Sequence, residues 1–424
     1  MESLKLINNK KEWFYFSVLL LCIFFFTISK EYSFWKELTS DEIYQTTGKI
    51  VHIYPKEDKK SLNNIAKIET EHFTFFTPIP KNLPLKKTDT ISLIVVSQKI
   101  TFYDYMKGFF APSFSIELIP SSLSIVENMH QKVREQHAND AIGDFYNTLF
   151  FATPLDKSIQ NLCAIYGIAH VVAISGFHLS IISVVLFFIL RLLYSPLHQK
   201  YFPYRNKKMD ILIVITIILF IYLLAINLVP SFLRSFVMFL FGLFLLRSNI
   251  KLFSFGSLAF VVLMIIAFFP KLLFSLSLWF SVAGVFYIFL YIHYFSAMNK
   301  YMSFFFFNFW IFFAINPITH FFFGTTAMVQ LFSPFITIGF IVFYPLELLL
   351  HLIGLGDILD CFLEFWIATD PKYTLVFTPI WLFGIHIIIS LLAIWYKFFF
   401  YLLNIVLLLF NCYLFLLAGV IYCG

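Results

Sequence analysis

Charge is scarce in this chain. Asp, Glu, Lys and Arg make up 13% of its 424 residues, about half of what a soluble globular domain carries, which excludes a water-soluble fold for most of its length. Paired cysteines are missing too. Cys22, Cys163, Cys361, Cys412 and Cys423 lie in or beside apolar segments, none forms C-x-x-C, and residues 30–120 contain none. That excludes a disulfide framework and a cysteine zinc site. The catalytic signatures are also absent: there is no P-loop, no H-E-x-x-H and no G-x-S-x-G. ATP hydrolysed by this chain is therefore no energy source, and no enzyme activity, cofactor or metal is expected.

What remains is apolar. Hydrophobic residues make up 60% of the chain, in repeated runs near the roughly 20 residues a helix needs to cross a bilayer. Lipid cannot satisfy an open backbone, so such a chain must be a helix bundle. The expected fold is a polytopic α-helical membrane protein of about nine to eleven spans. Its 59 phenylalanines are what an AT-biased genome writes for apolar positions, so they argue for no aromatic DNA platform. The net charge of +6 is modest, since cytoplasmic Lys and Arg account for much of it in membrane proteins.

The organisation follows from changes in composition. Residues 1–29 carry Lys5, Lys10 and Lys11 before an apolar stretch. With no small-x-small cleavage site after it, this reads as a retained first span with a cytoplasmic N-terminus. Residues 30–120 hold short β-rich runs at 48–54, 65–69, 72–77, 90–97 and 113–119 between Pro, Asn and Lys clusters. Five or six short strands suit a small OB-like barrel, extracytoplasmic by parity. Its 12 Lys, no Arg and 11 Asp plus Glu are near balance, so charge totals define no basic face. Residues 121–166 read as amphipathic interfacial helices. Ser124 and Glu127 have capping-box spacing, and Thr153-Pro154 marks a helix start. Residues 167–424 form the bundle. Basic loops (Lys200, Arg205, Lys207 and Lys208; Arg247 and Lys251; Lys300; Lys397) alternate with cation-poor ones, which places the acidic stretch 357–370 outside. An odd number of crossings must then separate Lys300 from Asp357, yet the region shows two apolar segments. Three short spans or a re-entrant pair would both satisfy the count.

One string differs from generic membrane sequence: GIAHVVAISGFHLSII, from Gly167. Two histidines, a Ser-Gly pair and small residues open an apolar helix there. It resembles the signature of the ComEC family, the DNA-uptake channel of natural transformation, which typically reads H-L-L-A-I-S-G-L-H. Two further stretches agree in order. Pro230-Ser231-Phe232-Leu233-Arg234 resembles the family's S-x-L-R-A, and Pro270 to Ser281 resembles its D-P-x-x-x-x-S-x-x-F-Q-L-S-F. Phe269 and Leu278 stand where the family has Asp and Gln. Many members also carry a C-terminal metallo-β-lactamase-like domain. No H-x-H-x-D-H string occurs here, so a short form without that domain is expected, with a separate nuclease supplying strand degradation.

The resemblance implies a conduit for single-stranded DNA across the bacterial inner membrane, with His170, Ser175, Gly176, His178, Ser231 and Arg234 as DNA-pathway candidates. It also implies the lipid bilayer, an extracytoplasmic DNA-delivery protein and a cytoplasmic motor as partners, and a homo-oligomer is compatible with the sequence. Each residue has a plainer reading. The two histidines can be neutral and hydrogen-bonded to neighbouring helices, with Ser175-Gly176 permitting close packing. Arg234 can snorkel to headgroups. Glu347 and His351, spaced i, i+4, can form a structural pair or a proton relay. Two other functions stay open: a proton-coupled transporter of a small substrate, and a membrane-embedded hydrolase using Ser175 or a histidine.

Overall fold

The computed structural model describes residues 10–54, 63–80, 83, 85, 89–119, 125–226, 229–247 and 254–423. In chain order the elements begin with α1 (Lys10–Leu38), β1 (Ile43–Tyr54), β2 (Asn63–Glu69), β3 (Thr74–Pro80) and β4 (Thr90–Val96). Next come α2 (Phe102–Lys107), β5 (Phe109–Phe110), β6 (Ser113–Ile119), α3 (Ile125–Arg134), α4 (Asp140–Phe151) and α5 (Lys157–Ile165). Then follow α6 (Ala169–Val172), α7 (Gly176–Tyr201), α8 (Lys207–Ala225), α9 (Pro230–Arg247), α10 (Phe255–Phe268) and α11 (Leu276–Phe295). The last are α12 (Lys300–Phe322), β7 (Thr325–Thr326), α13 (Ser333–Ile353), α14 (Asp360–Ile367), β8 (Thr374–Leu375), α15 (Ile380–Leu392) and α16 (Lys397–Cys423). Two compact units result. One comprises Met1–Asn128 with Ala259–Trp279, the other Met129–Leu258 with Phe280–Gly424.

The first unit is built on a six-stranded sheet in the order β5-β3-β2-β1-β4-β6. Alternation forms it: Ile91, Leu93 and Val95 point into the core while Thr90, Ser92 and Ile94 are less buried, the period of two that a pleated strand imposes. The sheet closes on itself. β5 pairs in parallel with β3 and β6 pairs antiparallel with β4, yet both lie in one stretch joined by Ala111 and Pro112. The Ala111 N–H donates to the Phe76 carbonyl at 2.9 Å, and the Thr77 and Ser113 hydroxyls meet at 2.5 Å. Closure leaves few unpaired edge groups. The core gathers Ile50, Ile68, Phe75, Ile91, Leu93 and Phe109, with Leu38 from the end of α1.

Polar contacts fix α1 against this barrel. The Trp35 indole donates to the Ile100 carbonyl at 3.0 Å. Lys271 pairs with Glu31 at 2.7 Å and donates to the Tyr105 hydroxyl at 3.1 Å. Burial pushes the Lys271 ammonium below its ordinary value, and Glu31 opposes that shift. Gly48 sits where β1 crosses β2: an added Cβ would fall 2.5 Å from Ile68 Cγ2 and 3.1 Å from the Glu69 carbonyl. Gly48→Ala is expected to cost the barrel about 2 kcal/mol by overpacking, read as a lower unfolding midpoint of the purified protein.

The second unit is helical. Counted over the whole chain, seven described helical segments are long and apolar enough to cross a membrane: Trp13–Leu38, Gly176–Tyr201, Lys207–Ala225, Leu276–Phe295, Lys300–Phe322, Met328–Ile353 and Lys397–Gly419. Three shorter apolar helices, Phe232–Phe244, Phe255–Phe268 and Ile380–Leu392, accompany them. Their outward faces carry exposed Phe188, Leu192, Ile221, Leu408 and Leu416, a surface that water would not tolerate at this extent. Polar bonds also cross between the helices, among apolar clusters such as Leu290, Ala314 and Leu403. Asn316 donates to the Asn411 side chain at 2.7 Å, Trp310 donates to Asn404 at 2.8 Å, and Tyr287 meets His386 at 2.6 Å. Such bonds tie helices where hydrophobicity alone gives no preference.

Three local expectations change. Thr153-Pro154 does not start a helix. Ala152, at φ 58°, ends α4 in the left-handed conformation, the Thr153 hydroxyl turns back to within 3.5 Å of Thr148, and α5 begins after Asp156. Region 301–356 is not three pieces: α12 runs through Pro317, and the break falls at Gly324, with Pro334 in the first turn of α13. Pro317 is tolerated because it stands in a helix whose neighbours re-satisfy the backbone. The proposed Ser124 cap lies outside the described residues.

Candidate functional site

The string that begins at Gly167 is not one helix. Gly167, at φ +69°, ends the turn after α5, and the Ser333 hydroxyl donates to its carbonyl at 2.9 Å. α6 is a single turn. Ala173, Ile174 and Ser175 are not helical, and α7 starts at Gly176. The sequence dictates this break. The Ser175 hydroxyl accepts from the Phe177 N–H at 3.3 Å, while His178 Nδ1 accepts from the Ser175 N–H at 3.3 Å, a reciprocal cap with histidine in the place Glu usually takes.

The break sorts the candidates. His178 is fully buried. Its ring stands at 90° to Tyr344, 4.8 Å between centroids, and lies 5.4 Å from Phe340. Since Nδ1 accepts, a neutral ring carries its proton on Nε2, which has no hydrogen-bond partner among the described residues. His170 behaves differently. It is exposed together with Ala169, Ala173 and Ser180. The two histidines therefore do not share a helix face as an unbroken helix would require, because α6 and α7 are separate helices.

α9 packs on the start of α7. Gly176 admits it: an added Cβ would lie 3.0 Å from Ser235 Oγ. Arg234 is buried beside Ser235, at 5% exposure, which does not fit an arginine reaching into headgroups. The side chain of Ser231 lies outside the described residues. The Ser175 hydroxyl is committed to its cap, and the adjacent imidazole nitrogen is held by backbone rather than by that hydroxyl, so no serine–histidine nucleophile is assembled here. Cys163, in α5, offers no thiolate either, because burial pushes its thiol up to about 12.

A second polar cluster was only half visible in sequence. Glu347 and His351 are paired as their spacing suggested, Oε2 to Nδ1 at 3.4 Å. His137 and Asp360 join them: His137 Nε2 lies 3.0 Å from His351 Nε2, and His137 Nδ1 lies 2.9 Å from the Asp360 carboxylate. The Tyr146 ring stacks on His137 at 4.8 Å and 11°. Burial, then the Glu347 carboxylate beside it, hold the Tyr146 phenol far above its ordinary value. Of the histidines read as structural, His386 is buried against Tyr287, His320 bonds the Asn316 carbonyl at 3.0 Å, and His293 lies edge-on to Tyr294.

These features define a multi-pass helical membrane protein with a β-sheet unit and a capped helix break among its spans. Comparison with curated proteins and with solved structures finds no match. A family model described as competence protein matches residues 152–420, more than half of the chain and all of α6 to α9. The chain belongs to the competence protein family of ComEC/Rec2 type.

Proposed function

We propose that the chain is a channel for single-stranded DNA crossing the bacterial inner membrane during natural transformation. Family membership fits a role in DNA uptake. The single observation that carries the conduit reading is the helix break at 173–175, which sets polar and small residues within an otherwise apolar bundle. Irregular backbone at membrane depth is tolerated where it lines a cavity or is covered by protein. A phosphate backbone passing there would meet His170 and the Ser175-Gly176 turn, with the buried Arg234 guanidinium as its cation. The N-terminus is assigned to the cytoplasm and the closed sheet to the outside, where an OB-like barrel would receive the strand from a delivery protein. A cytoplasmic motor and a separate nuclease complete the scheme.

The test follows labelled DNA into the cytoplasm of a strain with a marked deletion. Loss of internal label, restored by the intact gene in trans, is the expected result; normal internal label sinks the conduit. His178→Ala and Arg234→Ala are each expected to lower transformation at least about tenfold, the equivalent of about 1.4 kcal/mol, at unchanged membrane abundance. A proton-coupled transporter of a small substrate is the second reading, favoured by the buried Glu347–His351 pair. Normal DNA entry in the deletion strain would select it.

A further inference from the structure

We propose that His137 and His351 share a bound proton, which makes the cluster around them a proton-binding site separate from the α6–α9 helices. The argument is a count of hydrogens. His351 Nδ1 lies 2.7 Å from the Glu347 backbone carbonyl. A carbonyl only accepts, so Nδ1 carries hydrogen, and in a neutral ring Nε2 is a bare lone pair. His137 Nδ1 lies 2.9 and 3.0 Å from the two Asp360 oxygens. An ionised carboxylate also only accepts, so this Nδ1 carries hydrogen as well. Two neutral rings would then aim lone pairs at each other across the 3.0 Å between their Nε2 atoms. One additional proton between those atoms turns repulsion into an N–H···N hydrogen bond. Placing a proton on Asp360 instead leaves the count unchanged, because the cluster still holds one more than two neutral imidazoles and a carboxylate.

The surroundings suit a cation. The titratable groups facing the pair are Asp360 on α14, Glu347 on α13 and Tyr146 on α4. The side chains of His137 and Glu347 are 0% exposed and that of His351 is 4% exposed, so water cannot take over the proton's role. The Tyr146 ring face lies against His137 within cation–π range. Gln136 fixes the frame without charge: it donates to the His351 carbonyl at 3.2 Å and accepts from the Gly356 N–H at 3.0 Å.

A metal ion is the competing cation, and the distances disfavour it. Tetrahedral zinc with Zn–N bonds of about 2.0–2.1 Å holds two nitrogens about 3.3 Å apart, wider than the 3.0 Å here. No group of three or more His, Cys, Asp or Glu placed to hold a metal occurs among the described residues. The proton thus joins the segment after α3 to α13 and α14. Its contribution to that junction is present at low pH and lost as rising pH removes it.

Potentiometric titration of the purified full chain in detergent tests this, with the unfolding midpoint followed over the same pH range. The comparison variant is His137→Gln, whose amide can donate to His351 Nε2 without an extra proton. Wild type is expected to release one proton more per chain between about pH 5 and 9, spanning the ordinary range of histidine, and its midpoint to fall more steeply with pH than the variant's. Equal proton release overturns the site, as does stoichiometric zinc in the purified protein. Should His137→Gln fail to fold, 15N spectra of histidine-labelled wild type at neutral pH decide without a variant. One imidazolium in the pair supports the proposal, and two neutral rings, the pattern that a proton held on Asp360 would also give, overturn the sharing of a proton by the two histidines.

Discussion

Gly324→Ala is expected to destabilise the helical unit by roughly 2 kcal/mol. Two costs add. Gly324 has φ +62°, in the left-handed region where a Cβ costs about 1–2 kcal/mol. The same Cβ would stand 2.8 Å from the ring of Phe377, and relieving such overpacking costs about 1–3 kcal/mol. The backbone that carries the ring is bonded on both sides, but the ring itself is 57% exposed and can turn outward, which keeps the overpacking cost at the low end of that range. The Val376 N–H donates to the Gly324 carbonyl at 2.7 Å, and the Thr378 N–H to the His320 carbonyl at 3.1 Å. The measurement is the thermal midpoint of purified protein in detergent, with Gly339→Ala as control, since nothing lies within 4 Å of a Cβ there. Equal midpoints for the two variants would show that Gly324 has no special role.

That joint also bears on the crossing count. Thr325 and Thr326 pair with Leu375 and Thr374, so the chain between β7 and β8 returns to where it left. Within that excursion α13 is one unbroken helix, Ser333–Ile353, so the separate short pieces of a three-span arrangement are not formed. The acidic stretch then lies opposite Lys300 only if α13 and α14 stay on one side as a re-entrant pair. No local pattern carried this information, because two-residue strands are too short to produce alternation.

The same physics separates what the sequence revealed from what it hid. Strands β1, β2, β3, β4 and β6 were legible because apolar alternation repeats over several residues in each. β5 was not, although these two residues close the sheet. The string after Gly167 was legible as a site through its residue types. Its geometry was not, since a histidine at the third helical position signals a cap only once the break is seen. The i, i+4 spacing exposed Glu347 and His351, while His137 meets His351 and Asp360 across 214 and 223 residues of sequence. Periodicity has no access to such contacts. Only the packing of α3, α4, α13 and α14 brings them together.

The other large effect belongs to Gly176. Valine there is expected to lower transformation about a hundredfold, the equivalent of roughly 2.7 kcal/mol, whereas Gly176→Ala should do far less. Alanine would place its Cβ 3.0 Å from Ser235 Oγ and 3.5 Å from Ser235 Cβ, a tight contact that a hydroxyl rotation relieves. Valine adds two branches with only a few staggered positions to choose from, so α9 itself must move away from α7. Because Arg234 and Phe236 flank Ser235 on α9 and are buried with it, a shift of that helix displaces the guanidinium together with its packing. The cap at Ser175 is local to α7 and should survive, which makes the defect one of helix spacing rather than of folding. Ser235→Gly in the Gly176→Val background supplies the check, since it removes the very atoms the valine meets. Partial recovery of transformation in the double variant, at equal membrane abundance, identifies the α7–α9 approach as part of the DNA path. A double variant as defective as Gly176→Val alone would place the valine's effect elsewhere.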